Sequence, residues 1–212
     1  MSDYSGTLQK YMPKEAAPII SSWINDTNCL FKISKSRSTK LGDYRAPFKQ
    51  EGHRISINHD LNPYSFLITT IHEFAHLKTW QQHQHKVKPH GTEWKDNFKY
   101  LMDPFIKLQL FPFEITKAIV AYLQNPAASS CTDLNLYRTL KKYDHKNDQV
   151  VTVEMVALKS HFKIQNGRIF QKVEKLRKRY KCLEISTNRM YLFNPITEIY
   201  PIEISQLNEK TI

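Results

Sequence analysis

Cysteine is scarce: Cys29, Cys131 and Cys182 are the only three in 212 residues, far apart and never in a CxxC pair. That excludes the disulfide framework of small secreted domains, and it excludes a cysteine-based zinc ribbon. Long apolar runs are also missing. No stretch approaches the ~18 apolar residues that a membrane span needs, so no membrane partner is expected. The polar opening Met1-Ser2-Asp3-Tyr4-Ser5-Gly6 holds no apolar leader core, so no secretory signal is expected. These absences predict a cytoplasmic protein, nucleoid-associated if the source is bacterial. Acidic charge is the minority, with 31 Lys+Arg against 20 Asp+Glu and a net charge of +11. Such an excess favours a polyanionic partner, most simply nucleic acid.

The hydrophobic content of 41% and aromatic content of 12% belong to a globular chain with enough material for a proper core. Apolar positions recur at helical spacing over residues 8–24, with Pro13 and Pro18 limiting where a helix can run. Residues 29–33 read as a strand, followed by a basic turn over 34–41 and Gly42. Arg54–Asn58 alternates polar and apolar, the period of a half-buried strand. Asn62-Pro63 predicts a helix start, with Asn as cap and Pro at the first position, and that helix runs to about Gln82. Trp94, Phe98 and Leu101 predict a second helix from Thr92, and a third covers Phe113–Leu123.

Small residues and Pro126 at 125–130 suggest a boundary, 134–143 a short helix, and 144–148 a charged linker. Beyond it, 150–153, 161–165, 168–170, 180–185 and 190–193 are strand-like, and Asn166-Gly167 predicts a type I′ hairpin. The expected organisation is a catalytic domain at 1–127, a linker with a short helix at 128–149, and a basic β-rich module at 150–212. The fold class is α+β: a small mixed sheet packed on a helix, then a small all-β module, curled or barrel-like.

His72-Glu73-Phe74-Ala75-His76 lies in the second half of the long helix and reads HExxH. Residues at i and i+4 share a helix face, so two imidazoles can approach one Zn²⁺ from the same side while Glu73 stands beside them as acid/base. An open catalytic zinc site needs a third protein ligand, and His83, His85 and His90 are available. His90 is favoured, because His90-Gly91-Thr92-Glu93-Trp94 opens the next helix and a packed element can hold a ligand in place. Trp94 and Trp80 read chiefly as core packing. Tyr44, Arg45 and His85 are candidates for stabilising an oxyanion.

The HExxH, the HGxxW about 14 residues on and the Ser36–Gly42 turn upstream together resemble the SprT-like family of zinc metallopeptidases, which includes the Spartan proteases. The resemblance covers residues 5–125. It implies a compact zincin with one zinc ion held by His72, His76 and His90, and Glu73 as the catalytic acid/base. It also implies protein substrates bound or crosslinked to DNA. The cysteine ribbon that follows the protease domain in many bacterial members has no counterpart here.

Lys172, Lys175, Arg177, Lys178, Arg179 and Lys181 place six cations within ten residues around Tyr180. They are the expected contacts for DNA, single-stranded or junction-containing, bound without sequence specificity through phosphates with Tyr180 available to stack. A charged edge that blocks aggregation is the plainer alternative. Two other functions remain open: a general peptidase acting on unfolded proteins, and a nucleic-acid-binding protein whose zinc is structural.

Overall fold

The computed structural model describes residues 3–37, 40–124, 126, 133–144 and 151–203. The chain divides into two compact units, Met1–His145 and Lys146–Ile212. It is mixed α and β, with six helices and two sheets among the described residues.

In the first unit a short helix α1 (Ser5–Leu8) precedes α2 (Ala16–Thr27), the break falling where Pro13 interrupts the pattern. Strands β1 (Leu30–Ser34), β2 (Gly42–Arg45) and β3 (Arg54–Asn58) form a mixed sheet in the order β1-β3-β2. Central β3 runs parallel to β1 and antiparallel to β2. β2 was not anticipated, because Gly-Asp-Tyr-Arg carries little strand propensity by itself. It forms because β3 supplies its ladder and α3 covers one face.

Helix α3 (Pro63–His83) crosses that sheet and buries residues on nearly every side, including Phe66, Leu67, Ile71, Phe74 and Leu77. A helix so enclosed lies at the centre of its domain. It begins as the Asn-Pro pair predicts: Asn62 Oδ1 accepts the Ser65 N–H at 2.9 Å. Helix α4 (Thr92–Lys107) packs alongside, and Asn97 Nδ2 donates to Thr79 Oγ1 at 3.0 Å and Gln82 Oε1 at 2.7 Å. Helix α5 (Phe113–Leu123) buries Ile115, Ala118, Ile119 and Tyr122 against the same core.

The short helix expected inside a linker at 128–149 is α6 (Leu134–Lys141), and it is no linker. Leu136 and Leu140 are buried in the first unit's core, and buried Asn62 donates to the Leu140 carbonyl at 3.0 Å. Of the expected boundary at 125–130 and the charged stretch at 144–148, all but Pro126 and Asp144 lie outside the described residues.

The second unit is one antiparallel sheet of six strands: β4 (Val151–Thr152), β5 (His161–Lys163), β6 (Ile169–Lys175), β7 (Tyr180–Glu184), β8 (Met190–Phe193) and β9 (Glu198–Ile202). Their spatial order is β4-β9-β5-β6-β7-β8, and Val153, Phe162, Phe170, Cys182 and Ile199 form the core on one face. About five strands were expected. The additional one is β9, which was not among the expected strands and which carries Pro201 opposite Phe162 of β5. The β5–β6 turn is also not type I′, since Gly167 (φ 85°) is left-handed while Asn166 is not. A β-turn closed by Gly167 N–H to the Ile164 carbonyl at 2.9 Å does the work instead.

Candidate metal centre

Within α3, His72 and His76 stand one turn apart on the face turned toward the start of α4. Their Nε2 atoms are 3.2 Å apart. His90, just before α4, brings its Nε2 to 3.3 Å from that of His72. One ligand atom from each of the three lies within 4.8 Å of the others. Two nitrogens bound tetrahedrally to one Zn²⁺ are about 3.3 Å apart, so the spacing fits such an ion. Burial lowers the pKa of all three rings, holding His72 well below the ordinary histidine value and taking His76 to about 4; neighbouring imidazoles add to the effect at His72 and His76. The rings are therefore neutral at pH 7, the form that ligates metal.

The third histidine comes from an unusual backbone. His90 is left-handed (φ 58°), a conformation that non-glycine residues adopt at some cost. Gly91 follows as N-cap of α4, and its N–H closes a turn on the Lys88 carbonyl at 2.9 Å. A Cβ at Gly91 would lie 3.0 Å from that carbonyl oxygen, which accounts for the glycine in His-Gly. Fully buried Trp94 supports the group from behind, its ring centroid 4.7 Å from those of His72 and His90 and 5.4 Å from that of His76. Phe98 stacks on Trp94 at 5.2 Å. Core packing and support of the site are thus one role for Trp94.

Glu73, only 6% exposed, points from α3 toward β2. Burial, and then the negative charge of Asp43, push its carboxyl up to about 8, against a backbone hydrogen bond from Tyr44 and the cations Arg37 and Lys40. Gly42 makes room for it: a Cβ there would sit 2.5 Å from Glu73 Oε1 and 2.7 Å from Thr69 Cγ2. Asp43 is held by Lys40 Nζ at 2.8 Å and Arg45 Nε at 2.9 Å. Its own burial is outweighed by those two partners, and its pKa is lowered.

Histidines and glutamate open on a cleft of about 690 Å³, whose walls include Tyr44, Trp80, His85, Lys88 and Pro89. Of the oxyanion candidates, Tyr44 and His85 line this cleft. Tyr44 is parallel to the His76 ring (6.2 Å, 3°), and its hydroxyl lies 2.9 Å from His53 Nδ1. Arg45 does not line the cleft; it is paired with Asp43 in a second groove. His83 ends α3 and lies outside the cleft walls. His53 was not singled out beforehand, and Gly42 was read only as the end of the basic turn, since no local pattern reveals that a loop histidine will meet Tyr44 or that a glycine will face Glu73.

Residues 15–116 match the model of the SprT-like family. The chain carries a SprT-like domain. The match spans α2 through the start of α5 and so contains all three histidines and Glu73. The SprT-like family is generally metallopeptidase-related, and zinc is the metal it suggests for a His72, His76 and His90 group. No curated protein and no solved structure matches the chain.

The basic turn upstream of this SprT-like site is a structural clasp. Arg37 Nε donates to Asn58 Oδ1 at 2.8 Å and its Nη1 to Ser56 Oγ at 3.0 Å. Asn58 Nδ2 returns bonds to the carbonyls of Arg37 and Lys40 at 3.1 and 2.9 Å. The C-terminal basic group is divided. Lys175, Arg177, Lys178 and Arg179 are exposed around the β6–β7 turn, and Lys181 is half-buried. Lys172 and Tyr180 do not join them. Both are buried, with Lys172 Nζ donating to the Val156 carbonyl at 2.6 Å and lying 4.0 Å from the Tyr180 ring centre. An amine and a phenol spent on each other inside the sheet's core cannot meet phosphate or base.

Proposed function

We propose that the protein is a zincin-type metalloendopeptidase, with one zinc ion held by His72, His76 and His90 and Glu73 as general base and acid. The convergence of three neutral imidazole nitrogens beside a buried, glycine-cradled carboxylate carries this reading. When bound, zinc supplies Lewis acidity to the water and carbonyl that react and lowers the pKa of Glu73 from its metal-free value. The Glu73 carboxylate then takes a proton from the attacking water and returns it to the leaving amine. Tyr44 or His85, both in the cleft wall, would donate a hydrogen bond to the oxygen on which negative charge develops. Trp94 and the buried faces of α3 and α4 keep water from the rear of the histidines.

A structural zinc site usually closes its fourth position and has no use for a buried base, so the intact Glu73 favours catalysis. Glu73→Gln should retain stoichiometric zinc and lose peptide hydrolysis by at least about a thousandfold. Metal analysis with a peptide-cleavage assay checks both, and undiminished cleavage by the zinc-loaded variant would exclude the mechanism.

The substrates we propose are proteins bound or crosslinked to DNA, in the cytoplasm or nucleoid. Supporting this are the net charge of +11 and the exposed cations at Arg177, Lys178 and Arg179. A general peptidase for unfolded proteins would cleave casein as fast without DNA as with it, whereas cleavage of a basic DNA-binding protein should rise when DNA is added.

A further inference from the structure

We infer that the outer face of the β1-β3-β2 sheet is a binding groove for single-stranded DNA, on the peptidase unit itself. The inference rests on the proposed DNA-directed function and names the surface that would serve it. A groove of about 280 Å³ runs over this face, lined by Lys32, Arg37, Arg45 and Arg54, with Ser34 and Ser56 between them and one carboxylate, Asp43. Arg45 and Arg54 are directly opposite across the β2–β3 ladder. Like charges in one cross-strand row repel, so a further anion on this face is favoured.

The nearby acids do not balance the face. Asp43 serves both Lys40 and Arg45, and Glu51 pairs with Arg54. The four lining cations, Lys32, Arg37, Arg45 and Arg54, thus meet two carboxylates, an excess of two positive charges, and Asp43 is shared with Lys40 outside the groove. Arg37 is committed to Ser56 and Asn58, so it supplies charge in a set position rather than a mobile contact. Arg45 is 62% exposed and Lys32 is exposed, leaving both able to reach a passing phosphodiester. Arg54 Nε, shielded from water, has no acceptor among the described residues.

An aromatic completes the surface. Phe48, 64% exposed, stands at the tip of the β2–β3 hairpin, where it exchanges backbone hydrogen bonds with Glu51 at 3.0 and 3.1 Å. This hairpin continues the β2–β3 ladder past Arg45 and Arg54, so Phe48 lies on the loop just beyond that end of the groove. A phenyl ring beside a cationic track is the arrangement on which an unpaired base stacks while its backbone is neutralised. Duplex DNA offers no such base, which selects the single strand.

The test uses the full chain, loaded with zinc, and a fluorescein-labelled oligothymidine followed by anisotropy over a salt series. Lys32→Ala/Arg45→Ala should weaken binding about tenfold near 0.1 M salt and flatten the log–log salt slope by about 1.4, two phosphate contacts on a single strand. Phe48→Ala should weaken binding about tenfold with the slope unchanged, since it removes stacking and no charge. Thermal melts establish that each variant is folded, and the two variants perturb different elements. If wild type binds and both variants bind equally well, this surface is wrong while the DNA-directed reading stands. That outcome would be sharpest if Arg177→Ala/Lys178→Ala/Arg179→Ala alone lost affinity. If wild type does not bind the oligonucleotide at all, the surface and the DNA-directed reading fall together.

Discussion

Gly42 carries no side chain at the place where any side chain would strike Glu73. Its hypothetical Cβ, 2.5 Å from Oε1, cannot be accommodated unless Glu73 or β2 moves. Gly42→Ala should therefore leave zinc content unchanged and lower kcat about a hundredfold, the cost of misplacing a proton-transfer group by about an ångström. Peptide cleavage and metal analysis on one preparation would show the split. Glu73 also ties stability to pH. Its pKa rises from an ordinary 4.5 to about 8 in the metal-free fold, so the folded state holds one proton more than the unfolded chain between those values. That contribution is complete below about pH 4.5 and is lost as pH rises through about 8. Metal-stripped wild type should thus melt several degrees lower at pH 8.5 than at pH 6 relative to Glu73→Gln, which has no such titration. Equal pH dependence of the two melting curves would mean that Glu73 is ionised throughout.

Among the elements, α3 is the one on which the others depend. Its cap, Asn62, also donates to the Leu140 carbonyl and to Asp144 Oδ1 at 2.6 Å, so one side chain starts the central helix and fastens α6 to it. Asn62→Ala removes the cap and leaves a buried carbonyl without its donor. A loss of about 2–3 kcal/mol is expected in urea unfolding, more than a cap alone is worth. The start of α3 was legible because Asn-Pro acts within four residues. The membership of α6 was not legible. Its apolar positions show that one face will be buried, but not against what, and a small-residue stretch ahead of it resembles a linker from either side. β2 and β9 were missed for a related reason: each is stabilised by the ladders of neighbouring strands, which its own residues do not reveal.

At the scale of the whole molecule, basic charge has to be read twice. In the sequence it is densest at 172–181, yet folding withdraws Lys172 and Tyr180 from the surface and leaves a smaller exposed group at the β6–β7 turn. On the first unit, Lys32, Arg37, Arg45 and Arg54 are scattered over 23 positions, and only the strand register gathers them onto one face. What the sequence by itself determined is the set of groups that could hold a metal. HExxH places two imidazoles and a carboxylate within one turn of helix, and His-Gly before the next helix offers the third nitrogen. Each depends on the local geometry of the backbone. Tertiary structure alone decided which glycine makes room for Glu73, which tyrosine and histidine share the cleft wall, and which cations remain in water. Those outcomes are set by packing between segments distant in sequence, and no local pattern encodes such a distance.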